Sequence, residues 1–139
     1  MYKKILVAVD GSENSIRAAQ QAAHIASLCI QSKVDLLYIL DYNRRRIDII
    51  TNIKRDDLHI DRERGIASIE TIFINKDISH EFIIKLGDPG PTIVSYANEG
   101  DYDLVVIGSR GLNSFQVMVI GSVSHKVAKR ITAPILIVK

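Results

Sequence analysis

The chain has 139 residues, of which 47% are hydrophobic, and this length and apolar content match one globular domain and exclude a disordered chain. The formal net charge of +2 is too small to indicate binding to nucleic acid or to an anionic membrane, and no apolar run reaches the roughly 20 residues that a membrane span needs. The single cysteine, Cys29, excludes an internal disulfide and fits a reducing compartment, so we expect a cytoplasmic protein.

The chain opens with a continuous apolar run, Ile5 to Val9, which is typical of a strand buried on both faces of a parallel sheet. Asp10–Gly11–Ser12 then predicts a turn in which Ser12 caps a helix. Apolar positions at helical spacing predict the buried face of that helix: Ile16, Ala19, Ala23, Ala26 and Ile30. Cys29 lies within this pattern, which predicts a buried and unreactive thiol. Val34 to Leu40 is the second predicted strand.

The middle of the chain is less regular. Residues 41 to about 56 have no clean period, so a loop and a short extra helix both remain open. The run Arg44–Arg46 is interpreted as a solvated loop, because no aromatic stacking platform beyond one tyrosine accompanies it. A helical pattern resumes near Leu58 with Ile66, Ile69 and Phe73 on one stripe, although Gly65 interrupts it. Glu81 to Leu86 is the third predicted strand.

The last third of the chain contains two further helices and two strands. Asp88–Pro89 opens a helix, since proline is tolerated in a first turn, and its inner side carries Ile93, Val94 and Ala97. Leu104 to Ile107 is the fourth predicted strand. Ser122 begins the last helix, whose apolar face consists of Val123, Val127 and Ile131. Ala133–Pro134 ends that helix, and Ile135 to Val138 is the fifth predicted strand.

Strands and helices therefore alternate along the whole chain. This order predicts an α/β fold in which a parallel sheet is covered by helices on both faces. In open sheets of this class, ligands bind beyond the carboxyl ends of the strands, where the strand order reverses. Asp10 ends the first strand and Gly108 ends the fourth, so we expect both residues at the ligand-binding edge.

The most informative motif is the spacing Gly108-x2-Gly111-x9-Gly121-Ser122. A strand that leads into glycine turns ahead of a helix start forms a cradle of backbone N–H groups, which attracts phosphate. A plain strand-to-helix turn is the structural alternative. The chain has no Gly-x4-Gly-Lys-Ser/Thr motif and no Gly-x-Gly-x-x-Gly after its first strand, so the usual P-loop and dinucleotide fingerprints are excluded.

Several residues at or near the ligand-binding edge have two possible roles, one structural and one in ligand binding. Asp10 either only forms a turn or also contacts the ligand, and Arg110 either binds phosphate or is solvated. Ser122 and Ser124 are helix-start residues whose hydroxyls can also reach a phosphate.

The four histidines lack metal-ligand spacing, so no metal site formed by protein residues alone is expected.

At these residues the chain resembles the universal stress protein (UspA-like) family, in the branch that binds ATP. The matching stretches are the opening Ile5 to Ser12, the turn Gly87-Asp88-Pro89, and the glycine spacing that begins at Gly108. The resemblance covers essentially the whole chain and so implies one universal stress protein domain over residues 1–139. It also implies an adenine nucleotide alpha hydrolase-like fold: an open five-stranded sheet of order 3-2-1-4-5, with a cleft between strands one and four.

The resemblance implies ATP, accompanied by Mg²⁺, as the ligand. Adenine would lie near Ala8, Asp10 and Ile39. Ribose and phosphates would meet Gly108, Arg110, Gly111, Gly121, Ser122, Val123 and Ser124. Members of the family commonly form homodimers through the last strand, here Ile135 to Val138. Two features depart from the family pattern: Leu112 to Ile120 contains no Lys or Arg, and His125 stands where an acidic residue is common.

The expected function is an ATP-binding stress-response sensor or switch, because no nucleophile with a base and an orienting group can be recognised and no catalytic residue is assigned. A slow Mg²⁺-dependent ATPase and a nucleotide-free dimeric interaction module are the alternatives. A relative such as an electron-transfer flavoprotein subunit is a further alternative, although no flavin motif is found. We expect no nucleic-acid or membrane partner, and protein partners are left open.

Overall fold

The computed structural model describes residues 1–40, 55–109 and 122–139, and excludes from this description the side chains of residues 55–62 and 122–123. Five parallel strands form one sheet in the spatial order β3-β2-β1-β4-β5, which confirms the expected α/β class and strand order. The strands are β1 (Lys4–Val9), β2 (Lys33–Leu40), β3 (Ser79–Leu86), β4 (Leu104–Gly108) and β5 (Ile135–Val138).

The described helices are α1 (Glu13–Leu28), α2 (Arg55–Asn75), α3 (Pro89–Glu99) and α4 (Ser122–Arg130). One apolar cluster joins α1 and α2 to one face of the sheet, with Val7, Ala22 and Phe73 among its fully buried members. A second cluster joins α3 and α4 to the other face and includes Leu6 and Val127. Helices therefore cover both faces, as the alternating order predicts.

Two helix starts agree with the sequence prediction, and charged residues complement the end of a third helix. Ser12 caps α1, since its Oγ accepts a hydrogen bond from the Ser15 N–H at 3.3 Å. Asp88 is the N-cap of α3 and Pro89 is its first residue. Lys129 and Arg130 occupy the last turn of α4, where positive charge complements the negative end of the helix dipole.

The end of α1 differs from the prediction. The helix ends at Leu28, so Cys29 is its C-cap in extended conformation and is half-buried rather than fully buried. Ile30, predicted on the inner face, lies beyond the helix and is 86% exposed. The chain turns at Gln31, whose φ of 61° cannot continue a right-handed helix.

The region before α2 also differs in one detail. The helix already begins at Arg55, rather than near Leu58, so Arg55 and Asp56 belong to it and not to the irregular segment. Residues 41–54 and 110–121 lie outside the described residues, and so do the predictions made for them. None of the helices in the described ranges is long and apolar enough to cross a membrane.

Candidate functional site

The carboxyl ends of β1 and β4 lie side by side at one edge of the sheet. These two strands are parallel neighbours, with Val7 opposite Val106, and the chain leaves them at Asp10 and Ser109. The strand order reverses between β1 and β4, because β2 lies on one side of β1 and β4 on the other. This edge is therefore the place where ligands bind in open α/β sheets.

The turn after β1 is held by its own hydrogen bonds. Asp10 Oδ1 accepts a hydrogen bond from the Ser12 N–H at 2.9 Å, and Gly11 between them adopts a φ of 81°, which favours glycine. Ser12 O accepts the Ser15 hydroxyl at 3.0 Å and the Ile16 N–H at 3.0 Å, which continues the turn into α1. Asp10 is thus confirmed as a turn-forming residue, and its role towards a ligand stays a prediction.

The end of β4 lies directly against the start of α1. A Cβ at Gly108 would be 2.9 Å from Asn14 Cβ and 3.1 Å from Asn14 C, so only glycine leaves room for this approach. Asn14 is only 6% exposed, and the Arg17 guanidinium donates a hydrogen bond to its side-chain oxygen. The Arg17 Nε also donates to Lys139 O at 2.9 Å, which links α1 to the residue after β5.

Sequence reasoning missed Asn14. The available signal was its position one turn before Ala18 and two turns before Ala22, on the stripe that α1 buries. A polar residue at a buried position of a helix needs a hydrogen-bond partner.

The first turn of α4 is joined to the end of β4. Ser124 is 6% exposed, and its Oγ donates a hydrogen bond to Gly108 O at 2.6 Å. This bond puts the N-terminal end of α4, with the positive end of its dipole, at the same edge as the Asp10 turn. Because the Ser124 hydroxyl proton is used within the protein, an anion at this edge would meet backbone N–H groups rather than that hydroxyl.

An apolar surface adjoins this edge on the side of the sheet that α3 and α4 cover. Ala8 and Ile39 are half-buried and pack against the apolar cluster of Leu6, Leu37 and neighbouring residues. Ala8 pairs with Leu37 in the register of β1 and β2, and Ile39 lies two residues further towards the carboxyl end of β2. A flat apolar ring could lie against this surface.

The structure thus brings together five of the ten candidate residues at or near one edge: Ala8, Asp10, Ile39, Gly108 and Ser124. Ser122 and Val123 lie in the first turn of α4, where only their backbone is described. Arg110, Gly111 and Gly121 lie outside the described residues. The ligand-binding roles of all ten residues remain predictions.

Shifted pKa values occur at the opposite edge of the sheet. The Tyr102 hydroxyl donates to Asp35 Oδ2 at 2.7 Å, and burial together with this bond raises the pKa of Tyr102 above its ordinary range. Lys33 Nζ lies 3.0 Å from Glu81 Oε2 and 3.7 Å from Asp35 Oδ1, and these carboxylates, Glu81 first, raise the pKa of Lys33. Asp35 Oδ1 has no hydrogen-bond partner in the described part of the chain, so Lys33 compensates its charge only at ion-pair distance.

Asp103 completes this network at the start of the strands. Its Oδ2 accepts the backbone N–H groups of Lys3 and Lys4, both at 2.9 Å, and these bonds lower the pKa of Asp103. The network connects the beginnings of β1, β2, β3 and β4. We interpret it as structural, because it lies at the end of the sheet opposite the candidate site.

The comparisons with known proteins agree along the whole chain. The model of the universal stress protein family matches residues 1–139. Universal stress protein YxiE of Bacillus subtilis is 31% identical, with 100% of both chains covered. The structure of MJ0577, a Methanocaldococcus jannaschii universal stress protein, has a TM-score of 0.79 at 27% identity and covers 100% of this chain and 96% of its own. An Archaeoglobus fulgidus universal stress protein, solved in complex with dAMP, has a TM-score of 0.70 at 25% identity and covers 99% and 98%.

Proposed function

This chain belongs to the universal stress protein family, and on that premise we propose that it binds ATP at the edge formed by β1 and β4 and acts as a nucleotide-dependent switch in a stress response. The observation that carries the proposal is the 2.6 Å hydrogen bond from Ser124 to Gly108 O. It brings the N-terminal end of α4 to the end of β4, beside the Asp10 turn, where backbone N–H groups favour phosphate.

The class of ligand is supported by a relative. The Archaeoglobus fulgidus universal stress protein, 25% identical to this chain, was solved in complex with dAMP, which is an adenine nucleotide. The proposal of a triphosphate in this chain rests on the glycine spacing from Gly108 to Ser122, which resembles the spacing of the ATP-binding branch of the family.

In the proposed complex, adenine packs on Ala8 and Ile39, and Asp10 contacts the adenosine part. These two apolar residues are half-buried on one side of the sheet, which leaves an apolar surface next to the Asp10 carboxylate. Ribose and phosphates meet Gly108 and the start of α4, at Ser122, Val123 and Ser124, while Arg110, Gly111 and Gly121 complete the cradle. Arg110 supplies a forked donor to phosphate oxygens.

Mg²⁺ fits this proposal only as a partner of the phosphates. In the described part of the chain no group of three or more His, Cys, Asp and Glu residues is placed to hold a metal ion. Asp10 is the one carboxylate among the ten candidate residues, and its Oδ1 already accepts a hydrogen bond from the Ser12 N–H. The segment from Leu112 to Ile120 contains no Lys or Arg that could neutralise phosphate charge. A bound Mg²⁺ would neutralise this charge instead.

We propose a switch rather than an efficient ATPase, because the proposed contacts do not include the groups that rapid hydrolysis needs. Rapid hydrolysis needs an oriented water and charge neutralisation at the γ-phosphate. The contacts proposed here are backbone N–H groups, Arg110 and the Asp10 carboxylate, and the last of these lies on the adenosine side. We expect ATP to be held, with turnover far below the roughly 1 per second at the lower end of typical enzymes.

The proposal further includes a homodimer formed by antiparallel pairing of β5 with its copy. Pro134 O, just before β5, accepts a hydrogen bond from the Val105 N–H of β4, and Val138 O accepts one from the N–H of Ser109, just after β4. The even-numbered residues of β5 therefore bond to the sheet. Strand residues alternate in direction, so the N–H and C=O groups of Ile135 and Ile137 point away from β4. They face the outer side of β5, where the described residues provide no further strand; this side is called the open edge. Unpaired edges of this kind are typically covered or paired.

The test of the proposed function begins with the purified protein. Denaturation followed by mass spectrometry identifies a co-purified nucleotide, and calorimetric titration with ATP measures the affinity of nucleotide-free protein. We expect ATP binding in the wild type and its loss in Gly121→Val, where a branched side chain would occupy the cradle. Gly90→Ala is the matched control, since a Cβ at Gly90 meets nothing within 4 Å.

Two results would contradict the proposal. Absence of any released nucleotide, followed by no detectable binding in titration, would favour the nucleotide-free interaction module. Rapid phosphate release from ATP and Mg²⁺ by the pure protein, lost in Gly121→Val, would show that the protein is an ATPase and not a switch.

A further inference from the structure

Gly65 makes an unusually close backbone contact with the turn after β1. It lies in the middle of α2 and is buried, and a Cβ built on it would be 2.0 Å from Gly11 O, 2.7 Å from Gly11 C and 2.8 Å from Gly11 Cα. All three atoms belong to the backbone, so no side chain can rotate away to make room. Even the methyl group of alanine would require α2 or the turn to move.

The helix has little freedom to move. Gly65, Ile69 and Phe73 recur every four residues and so lie on one face of α2. Ile69 and Phe73 are fully buried in the apolar cluster between α2, α1 and the sheet. Lifting α2 away from Gly11 would therefore unpack these side chains, and interiors packed at crystal-like density resist such a shift.

The turn on the other side of this contact carries a residue of the proposed site. Gly11 stands between Asp10 and Ser12, whose N–H donates to Asp10 Oδ1 at 2.9 Å. Its φ of 81° and its burial under α2 fix the path of the backbone from Asp10 to Ser12. A displacement of Gly11 would move the Asp10 carboxylate and the start of α1 together.

We propose that Gly65 is a positioning residue for the nucleotide site: its missing side chain lets α2 lie directly on Gly11 and holds the Asp10–Ser12 turn in the geometry that meets the nucleotide. This inference rests on the proposed function and adds to it a residue of α2 that contacts no ligand. A purely packing role for Gly65 is the alternative, and it predicts a loss of stability with unchanged nucleotide affinity.

The direct test is calorimetric titration of the full-length Gly65→Ala protein with ATP, at a temperature where circular dichroism shows it to be folded. We expect its affinity to fall about tenfold or more, since small displacements of positioning groups have effects of this size. Gly90→Ala, a helical glycine with nothing within 4 Å of its Cβ, should bind like the wild type. An affinity of Gly65→Ala within about twofold of the wild type would overturn the proposal.

A second control separates positioning from a general loss of stability. Phe73→Leu leaves a small cavity in the core below the same helix, about two turns after Gly65. We expect Phe73→Leu to lower the urea midpoint and to keep the wild-type ATP affinity. If Phe73→Leu weakens ATP binding as much as Gly65→Ala does, Gly65 has no specific role.

The turn can also be observed without nucleotide. Amide hydrogen exchange of Ser12, whose N–H is bonded to Asp10 Oδ1, should be about tenfold faster in Gly65→Ala and unchanged in Gly90→Ala. If the wild type binds no nucleotide, the proposed function fails, and this exchange rate still decides whether Gly65 positions the turn. Unchanged exchange in folded Gly65→Ala would refute the positioning role.

The wild type gives an answer if Gly65→Ala does not fold. In a nuclear magnetic resonance titration with ATP, the amide of Gly65 should shift together with those of Gly11 and Ser12, because the two backbones are in contact. The amide of Gly90 should not shift. A Gly65 amide that stays in place while the Ser12 amide moves would overturn the proposal.

Discussion

At the scale of single residues, Ser124 shows how the edge of the sheet is assembled. Its buried hydroxyl donates a hydrogen bond to Gly108 O at 2.6 Å and thereby joins α4 to β4. Ser124→Ala would leave that carbonyl without its donor, so we expect the free energy of unfolding to fall by about 1–2 kcal/mol. Urea unfolding measures this difference.

Ser68→Ala is the matched control for this prediction. The Ser68 hydroxyl donates to Arg64 O within α2, but the residue is exposed and water can replace the bond. We expect a change below about 0.5 kcal/mol there. Equal effects of the two substitutions would mean that burial at Ser124 contributes nothing.

Tyr102 gives a prediction about pH. Burial, and then the hydrogen bond to Asp35, raise the pKa of Tyr102 above its ordinary value of 10.0. Below pH 10 both the folded and the unfolded chain keep the phenol proton, so stability is unaffected. Above pH 10 only the unfolded chain releases it, and this residue lowers the free energy of unfolding by up to about 1.4 kcal/mol per pH unit.

Tyr102→Phe removes this ionisation and isolates its effect. The variant should be less stable than the wild type at neutral pH, since Asp35 Oδ2 loses its donor. The stability difference between the two proteins should shrink as pH rises from 9 to 11. Urea midpoints measured across this range would contradict the account if the difference stayed constant.

At the scale of elements, α3 and α4 are joined through Asn98. Its Nδ2 donates to Arg130 O at 3.0 Å, at the end of α4, and its Oδ1 accepts the Thr132 N–H at 3.0 Å. Asn98→Ala should lower the free energy of unfolding by about 1 kcal/mol and speed amide exchange of Thr132. Glu99→Ala, a neighbouring exposed substitution on α3, should leave both unchanged.

The elements also show what can be read from the sequence. Apolar runs bounded by turn residues located all five strands, because both faces of this sheet are covered by helices. Local chemistry likewise identified Ser12 as a cap and Asp88–Pro89 as the start of a helix. Ile30 was misplaced because helical spacing cannot reveal that Gln31 takes a φ of 61°.

Parts of the candidate site depend on contacts between distant parts of the chain. Topology was sufficient to bring Asp10 and Gly108 to one edge. The contacts of Asn14 with Gly108 and of Gly65 with Gly11 were not predicted, since a local pattern does not contain them. Gly65 was visible only as an interruption in a helical stripe, and helical periodicity does not show which backbone approaches it.

At the scale of the whole molecule, the outward-facing groups of β5 predict the dimer contact. Ile137→Pro removes an N–H that points to the open edge, and a proline is compatible with an edge strand at such a position. We expect light scattering to give a dimer mass for the wild type and a monomer mass for folded Ile137→Pro. Ile137→Val keeps the N–H and should stay dimeric. A monomeric wild type at working concentration would remove the dimer from the account.

The central claim is that an adenine nucleotide binds at the edge formed by β1 and β4. A nuclear magnetic resonance titration of the isotope-labelled protein with ATP and Mg²⁺ tests it most directly, without a variant. The amides of Asp10, Gly108 and Ser124 should shift in a saturable manner, while Asp77 and Asp103, at the opposite edge, should not. Saturable shifts confined to that opposite edge, or none at millimolar ATP, would contradict the claim.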